Sequence, residues 1–250
     1  MSQKLEFHPV ADLFPLLQGE MFQKLVADIN KNGLLEPILV DEERRIIDGR
    51  NRYLACLEAG VEPRFTEWQG EPSTGADPLP ELALSLNLHR RHLNESQRAL
   101  VAAKLAKLWT AQGLDSAANL RRKSVGRIGD KAARQVNISP RLVTYAAKVL
   151  QHGCPELIAA VESGSLKISV AVVFADLPRE RQIEEVSRGP QRAAARARKL
   201  VAQAEAERIG SFGRLPQEGG EQKVRLLWVT AESLSLAIQT LKRRGFRYEL

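Results

Sequence analysis

The pair Ile46-Ile47 runs straight into Asp48-Gly49, and a helical pattern begins at once, from Arg50 to Ala59, with Leu54, Leu57 and Glu58 in its pattern and Gly60 as its stop. An apolar extended segment, a glycine turn and a helix in so few residues require a strand feeding directly into a helix. That junction commits the first part of the chain to a mixed architecture of sheet and helix. The surrounding residues agree. Residues 20–32 place Phe22, Leu25, Val26 and Ile29 at helical spacing, and Gly33 ends the run. Pro37–Val40, Arg45–Asp48 and Pro63–Trp68 read as short strands, with a polar turn over Asp41–Arg45.

The junction also has chemical content. Gly49 permits close backbone approach, and the following helix offers N–H groups that have no partner within the helix. Arg50 and Arg52 flank that end. Helix dipole, amides and guanidinium groups together suit an anion such as phosphate. Many strand–turn–helix junctions carry glycine and arginine for packing alone, so these residues leave both readings open. A second polar group lies in SLNLHRRHLN (85–94), where Asn87, His89, Arg90, Arg91 and His92 sit among apolar residues.

Gln69–Pro80 is rich in Pro, Gly, Ser and Asp and reads as a loop. Helical character resumes at Glu81. Asn94 and Gln97 have capping-box spacing before a stripe of Val101, Leu105, Leu108 and Trp109. Gly113–Asp130 reads as irregular, polar and basic. Short helices are predicted around 131–136, 140–150 and 155–162, a helical stretch over 169–188, and an Ala- and Arg-rich helix over 190–208, where a linker, a further DNA contact and a solvated helix all fit. Gly210–Gly220 reads as a linker, and the last 28 residues as strand, helix, strand.

Charge is unevenly placed. The net charge is +7 over 250 residues. The 28 residues from Arg121 to Lys148 hold eight positive side chains and one negative, Asp130, so the whole excess sits there. A concentrated basic window on an otherwise neutral chain suits a polyanion. It coincides with GDKAARQVNISPRLVTYAAKVLQ (129–151). Ala132, Ala133 and Val136 give a first helix its apolar face, Asn137-Ile138-Ser139 the turn, and Ser139-Pro140 the cap and first residue of a second helix. Leu142, Val143, Ala146, Val149 and Leu150 are predicted to point inward, with Arg141, Thr144, Tyr145 and Lys148 outward. This is the layout of a helix-turn-helix whose second helix enters the major groove of double-stranded DNA. Arg121, Arg122, Lys123, Lys131, Ser139, Arg141, Thr144, Tyr145 and Lys148 are its candidate DNA contacts.

Other classes are disfavoured. No run approaches the ~18 apolar residues of a membrane helix, and MSQKLEFHPV does not read as a signal peptide. Two distant cysteines, Cys56 and Cys154, suit free buried thiols in a reducing cytoplasm rather than a disulfide framework or a zinc site.

Taken in order, HPVADLFPLL, DINKNGLLEPILV, DGRNRYLACLEAG and NLHRRHLN resemble the N-terminal domain of the ParB partition proteins, which shares its fold with sulfiredoxin. CPELIAAVESGSLKISVAVVFADLPRERQ extends the resemblance to about residue 185. It implies an α+β ParB/sulfiredoxin-like domain over 1–92 and an all-α helix-turn-helix domain over 93–188; beyond it the residues themselves read as a basic helix and linker over 189–220 and a small β-α-β remnant or accessory module over 221–250. The resemblance implies CTP and Mg²⁺ as ligands. Gly33 and Pro37 are expected near the nucleotide, Gly49, Arg50, Asn51 and Arg52 at its phosphates, Asn87 at the metal and Arg90 at a phosphate. It also implies a homodimer on the nucleoid and a ParA-like ATPase partner.

The chain departs from the family motif at three places. Arg50 replaces a glutamate, Asn51 an arginine, and Leu86 the glutamate before the family's asparagine. Without a carboxylate at the metal, at most a weak CTPase is expected. A DNA-binding regulator indifferent to nucleotide has the same architecture. KVRLLWVTAESLSLAIQTLKRRGFRYEL (223–250) resembles part of an adenine-N6 methyltransferase domain. The catalytic Asp-Pro-Pro-Trp of that family is absent, so methyl transfer is not expected.

Overall fold

A computed structural model describes residues 5–70, 78–88, 93–111 and 124–211, with side chains over 128–205 in the last stretch. The chain divides into two compact units, Met1–Val172 and Val173–Leu250. The described residues are mostly helical, with one small sheet.

In the first unit, α1 (Gly19–Asn32) ends on Gly33 at φ 73°, a left-handed backbone that glycine adopts without strain. β1 (Ile38–Val40), β2 (Ile46–Asp48) and β3 (Phe65–Glu67) form a sheet of order β2-β1-β3. The central β1 runs antiparallel to β2 and parallel to β3. Between β2 and β3 lies α2 (Arg50–Ala59), which starts from Gly49 and ends on Gly60, as its sequence predicts. Ile29, Leu34, Ile38, Val40, Ile46, Tyr53, Ala55 and Cys56 build the core between α1, α2 and the sheet. The Tyr53 hydroxyl accepts from Leu5 N at 2.8 Å, and its ring meets Phe7 edge-on.

The β1–β2 turn is locked by a buried carboxylate. Asp41 accepts from Arg45 N and Arg45 Nε, both at 2.7 Å. Burial pushes this carboxyl up, but the Arg45 hydrogen bonds and charge outweigh it and hold Asp41 below its usual range. A depressed carboxylate contributes stability above its unfolded pKa, and that contribution fades as pH falls through the native pKa. Asp41→Asn is therefore expected to cost about 1–3 kcal/mol at neutral pH. The gap from the parent should narrow below about pH 4 in urea melts, the range where an unfolded aspartate protonates.

The helical part of this unit comprises α3 (Leu79–Leu88), α4 (Glu95–Ala111), α5 (Ser124–Gln135), α6 (Pro140–His152) and α7 (Pro155–Glu162). The capping box forms: Asn94 N donates to Gln97 Oε1 and Gln97 N to Asn94 Oδ1, each at 2.9 Å. α4 is held from several sides. Ser96 Oγ accepts from Ile168 N at 3.0 Å, and Lys104 Nζ donates to Glu162 Oε1 at 2.6 Å and to Asp12 O at 3.1 Å. Arg98 Nη1 donates to Val136 O and Asn137 O, both at 3.3 Å, at the end of α5.

Three departures from the sequence reading exceed two residues. The stretch read as irregular through Asp130 is helical from Ser124, because packing on α4 overrides the poor helix propensity of Gly126 and Gly129. The single helix expected over 169–188 is two, α8 (Ile168–Phe174) and α9 (Arg179–Ser187), since Pro178 cannot continue a helix. The Ala-rich helix α10 (Pro190–Ser211) runs one residue past Gly210, with Ala193, Ala197 and Ala202 buried. α8 crosses the division between the units. In the second unit, α10 meets α9, where Arg196 Nε lies 3.3 Å from buried Glu185 Oε1. The C-terminal strand–helix–strand and its methyltransferase resemblance lie outside the described residues.

Candidate functional site

The strand–glycine–helix junction forms one wall of a cleft of about 230 Å³. Gly49, Arg50, Asn51 and Arg52 line it together with Asn87 from α3. Residues 35 to 38 positions apart in the sequence thus converge, because α3 packs against β2 and the 3₁₀ turn Pro9–Leu13. Gly49 sits at φ 95°, and a Cβ there would come within 3.2 Å of Arg52 Nη2. Glycine adopts that backbone without strain and leaves the Arg52 guanidinium its place. Gly33 and Pro37 do not line the cleft. Arg90 lies outside the described residues.

The two arginines are held differently. Arg50 is largely buried: it pairs with the Asp12 carboxylate, donates to Phe14 O at 2.7 Å and lies over the Phe7 ring, 5.6 Å from its centroid. Burial pulls its guanidinium below the usual value, and the Asp12 and Glu162 carboxylates offset part of that effect. Arg52 bridges two acids, with Nη1 2.9 Å from Glu36 Oε2 and Nη2 3.0 Å from Asp48 Oδ2. Asn51 is buried, and its Oδ1 accepts from Leu17 N at 2.9 Å, so that atom fixes a neighbouring loop. Asn87 Nδ2 donates to Asp48 Oδ1 at 2.8 Å and Ala83 O at 3.1 Å. This identifies the nitrogen end of the amide and leaves Oδ1 as its acceptor end.

Two guanidinium groups, a helix N-terminus and an amide oxygen make a donor set that fits a phosphate chain with a hard cation. Asp12 and Glu36, which neutralise the arginines, carry no local sequence signal: Asp12 reaches Arg50 across 38 residues and Glu36 reaches Arg52 across 16. Among the described residues no group of three or more His, Cys, Asp or Glu is placed to hold a metal, and no helix is long and apolar enough to cross a membrane. Cys56 and Cys154 are both buried, and burial raises both thiols.

The basic window forms a second candidate surface. Residues 124–135 and 140–152 are helical, joined by a turn in which Asn137 has φ 52°. Val143, Ala146 and Val149 are buried, as predicted, while Leu142 and Leu150 are half-buried. Ser139 occupies the N-cap position, without a side-chain cap hydrogen bond. Arg141 and Thr144 are exposed, and Tyr145 and Lys148 are half-buried. Thr144 Oγ1 donates to Pro140 O at 3.3 Å. Arg141 Nε donates to the Tyr145 hydroxyl at 2.6 Å. Lys131 lies over the Trp109 ring, 4.3 Å from its centroid, and 3.9 Å from Glu81 Oε1. Arg121, Arg122 and Lys123 lie outside the described residues.

No family model matches the chain. An uncharacterized protein of Acidianus two-tailed virus is 25% identical over 208 residues, covering 76% of this chain and 56% of its own length. The chain thus spans about half the length of that relative. Among solved structures, a Pnob8-like ParB N-terminal domain aligns with a TM-score of 0.42 and 16% identity, over 69% of this chain and 76% of that one. A C-terminally truncated chromosome-partitioning protein ParB from Caulobacter crescentus, complexed with CTP-gamma-S, aligns with a TM-score of 0.30 and 19% identity, over 79% of this chain and 94% of that one.

Proposed function

We propose that this chain is a ParB-like DNA-binding protein whose first unit takes up CTP with Mg²⁺. The observation that carries the reading is the convergence of Arg50, Arg52, the start of α2 and Asn87 on one cleft. Arg52 and the N–H groups at the start of α2 would hold phosphate oxygens, Arg50 would add a second cation, and Asn87 would offer its Oδ1 to the metal. Arg90 belongs to the same set by its place in the sequence motif. When bound, the magnesium ion neutralises phosphate charge and fixes the chain's orientation. Asp48 orients both Arg52 and Asn87, which ties the phosphate end to the metal end through one carboxylate. Leu86, beside Asn87 on the cleft, presents no carboxylate to a water, so hydrolysis is at most weak.

The pair α5–α6 acts as a helix-turn-helix, with α6 in the major groove of double-stranded DNA. Its exposed cations and the basic stretch before it supply the phosphate contacts. The protein works as a homodimer in segregation of a plasmid, chromosome or mobile element, with a ParA-like ATPase as partner.

A second reading, a DNA-binding regulator indifferent to nucleotide, is favoured by one feature of the cleft. Both arginines are already neutralised by Asp12, Glu36 and Asp48, and the volume falls below the roughly 300–1,000 Å³ usual for ligand pockets.

Calorimetric titration of CTP into the full chain with Mg²⁺, with ATP, GTP and UTP as controls, separates the two. Selective CTP binding supports the first reading, and no heat with any nucleotide supports the second. Asp12→Asn sharpens the test. It removes a competitor for Arg50 at an exposed position, so affinity is expected to rise roughly two- to fivefold, the scale of a surface ion pair. A fall in affinity would take Arg50 out of the phosphate site.

A further inference from the structure

Among the cations of the basic window that the structure describes, Arg141 alone combines an exposed place near the start of α6 with a side chain fixed by an aromatic neighbour on its own helix. Lys131 is committed to Trp109 and Glu81. Arg134 turns back, its Nε donating to Asp130 O at 3.3 Å. Lys148 is half-buried near the far end of the helix. Arg141 is the second residue of α6, and in a helix-turn-helix the N-terminal residues of the second helix reach the base edges.

Two contacts fix the Arg141 guanidinium. Its Nε donates to the Tyr145 hydroxyl at 2.6 Å, and its Cζ lies 5.2 Å from the centroid of the Tyr145 ring. Tyr145 is half-buried one turn further along, so it serves as a stiff backrest. A guanidinium carries five N–H donors in one plane. With the Nε donor spent on tyrosine, the remaining donors are the Nη1/Nη2 fork, and among the described residues that fork has no partner. A planar fork with two parallel donors matches the O6 and N7 acceptors of guanine in the major groove. A freely rotating arginine loses side-chain entropy on docking, and one held in advance loses less.

We infer that Tyr145 is a positioning residue that presents Arg141 to a guanine, making this pair the base-reading element of α6. The inference rests on the DNA-binding reading above. It gives Tyr145 a role other than direct contact with DNA, and it specifies a G·C pair in the recognised site.

The test is in vitro selection with the full chain on duplexes carrying a randomised core, comparing the parent with Tyr145→Phe and Arg141→Lys. Affinity for one fixed mixed-sequence duplex is measured alongside at several salt concentrations. The parent is expected to select a motif with one dominant G·C pair. Tyr145→Phe keeps the ring and loses the hydroxyl. It should relax the preference at that pair by about fivefold or more and leave the other positions alone. Its salt slope and its affinity for the mixed duplex should match the parent, because no phosphate contact is lost. Arg141→Lys should lose the same pair, since an ammonium cannot fork.

An unchanged motif in Tyr145→Phe would overturn the positioning role. An equal loss of affinity across all sequences would do so too, making tyrosine a phosphate contact. A parent that retains DNA but selects no G·C pair would overturn the guanine assignment while leaving DNA binding intact. A parent that retains no duplex at all would overturn both.

Discussion

An Arg52→Ala variant is expected to lose affinity for nucleoside triphosphate by about 100-fold or more, the loss expected when charge-assisted hydrogen bonds to phosphate are removed. Arg52 is the cleft cation with the stronger claim to this role. It lies in the first turn of α2 and is partly exposed, and it is held by acids that an incoming phosphate can displace. Arg50, by contrast, is boxed in by Asp12, Phe14 O and Phe7. The fold should survive the substitution, because Asp48 keeps its hydrogen bond from Asn87 and Glu36 is exposed to water. Circular dichroism checks the fold and calorimetry checks the affinity. Retention of affinity to within about threefold would remove Arg52 from the phosphate site.

Gly164→Ala is expected to destabilise the chain by about 2–4 kcal/mol, from two separate causes. Gly164 has φ 79°, where an L side chain is strained, and an added Cβ would lie 2.8 Å from Asn94 Nδ2 and 3.3 Å from Gln97 Nε2. Those side chains have little room to yield. They form the capping box that starts α4, and Gln97 Nε2 also donates to Glu162 O at 2.8 Å. For a chain of this size the thermal midpoint should fall by roughly 5–15 °C. A fall of less than about 2 °C would mean that the turn after α7 rearranges freely.

Much of the site could be read from the sequence because it is local. The strand–Gly49–helix junction needs only neighbouring residues, and both ends of α2 were marked by glycine. The capping box at Asn94 and Gln97 is likewise a four-residue signal, and the structure forms both of its hydrogen bonds. What escaped was long-range. Nothing near Arg50 announces Asp12, and nothing near Lys131 announces Trp109 and Glu81. Charge counts therefore overstate how many cations of the basic window face solvent alone. The helical start at Ser124 also escaped, because two glycines weaken the local preference and the deciding contacts come from α4.

α4 has consequences for how such a chain can vary. Ser96, Ala99, Leu100, Val101, Ala102, Ala103, Leu105 and Trp109 are all buried, so the helix is enclosed on more than one side. Three of its polar residues are tied down too: Gln97 and Lys104 to α7, Arg98 to the end of α5. Three of the enclosed positions are alanine, where any larger side chain must displace a neighbour. Under random mutation this helix should accumulate the fewest accepted changes in the first unit. Divergent relatives should be easier to align through α4 than through the cleft, where a change of ligand can be tolerated without loss of the fold.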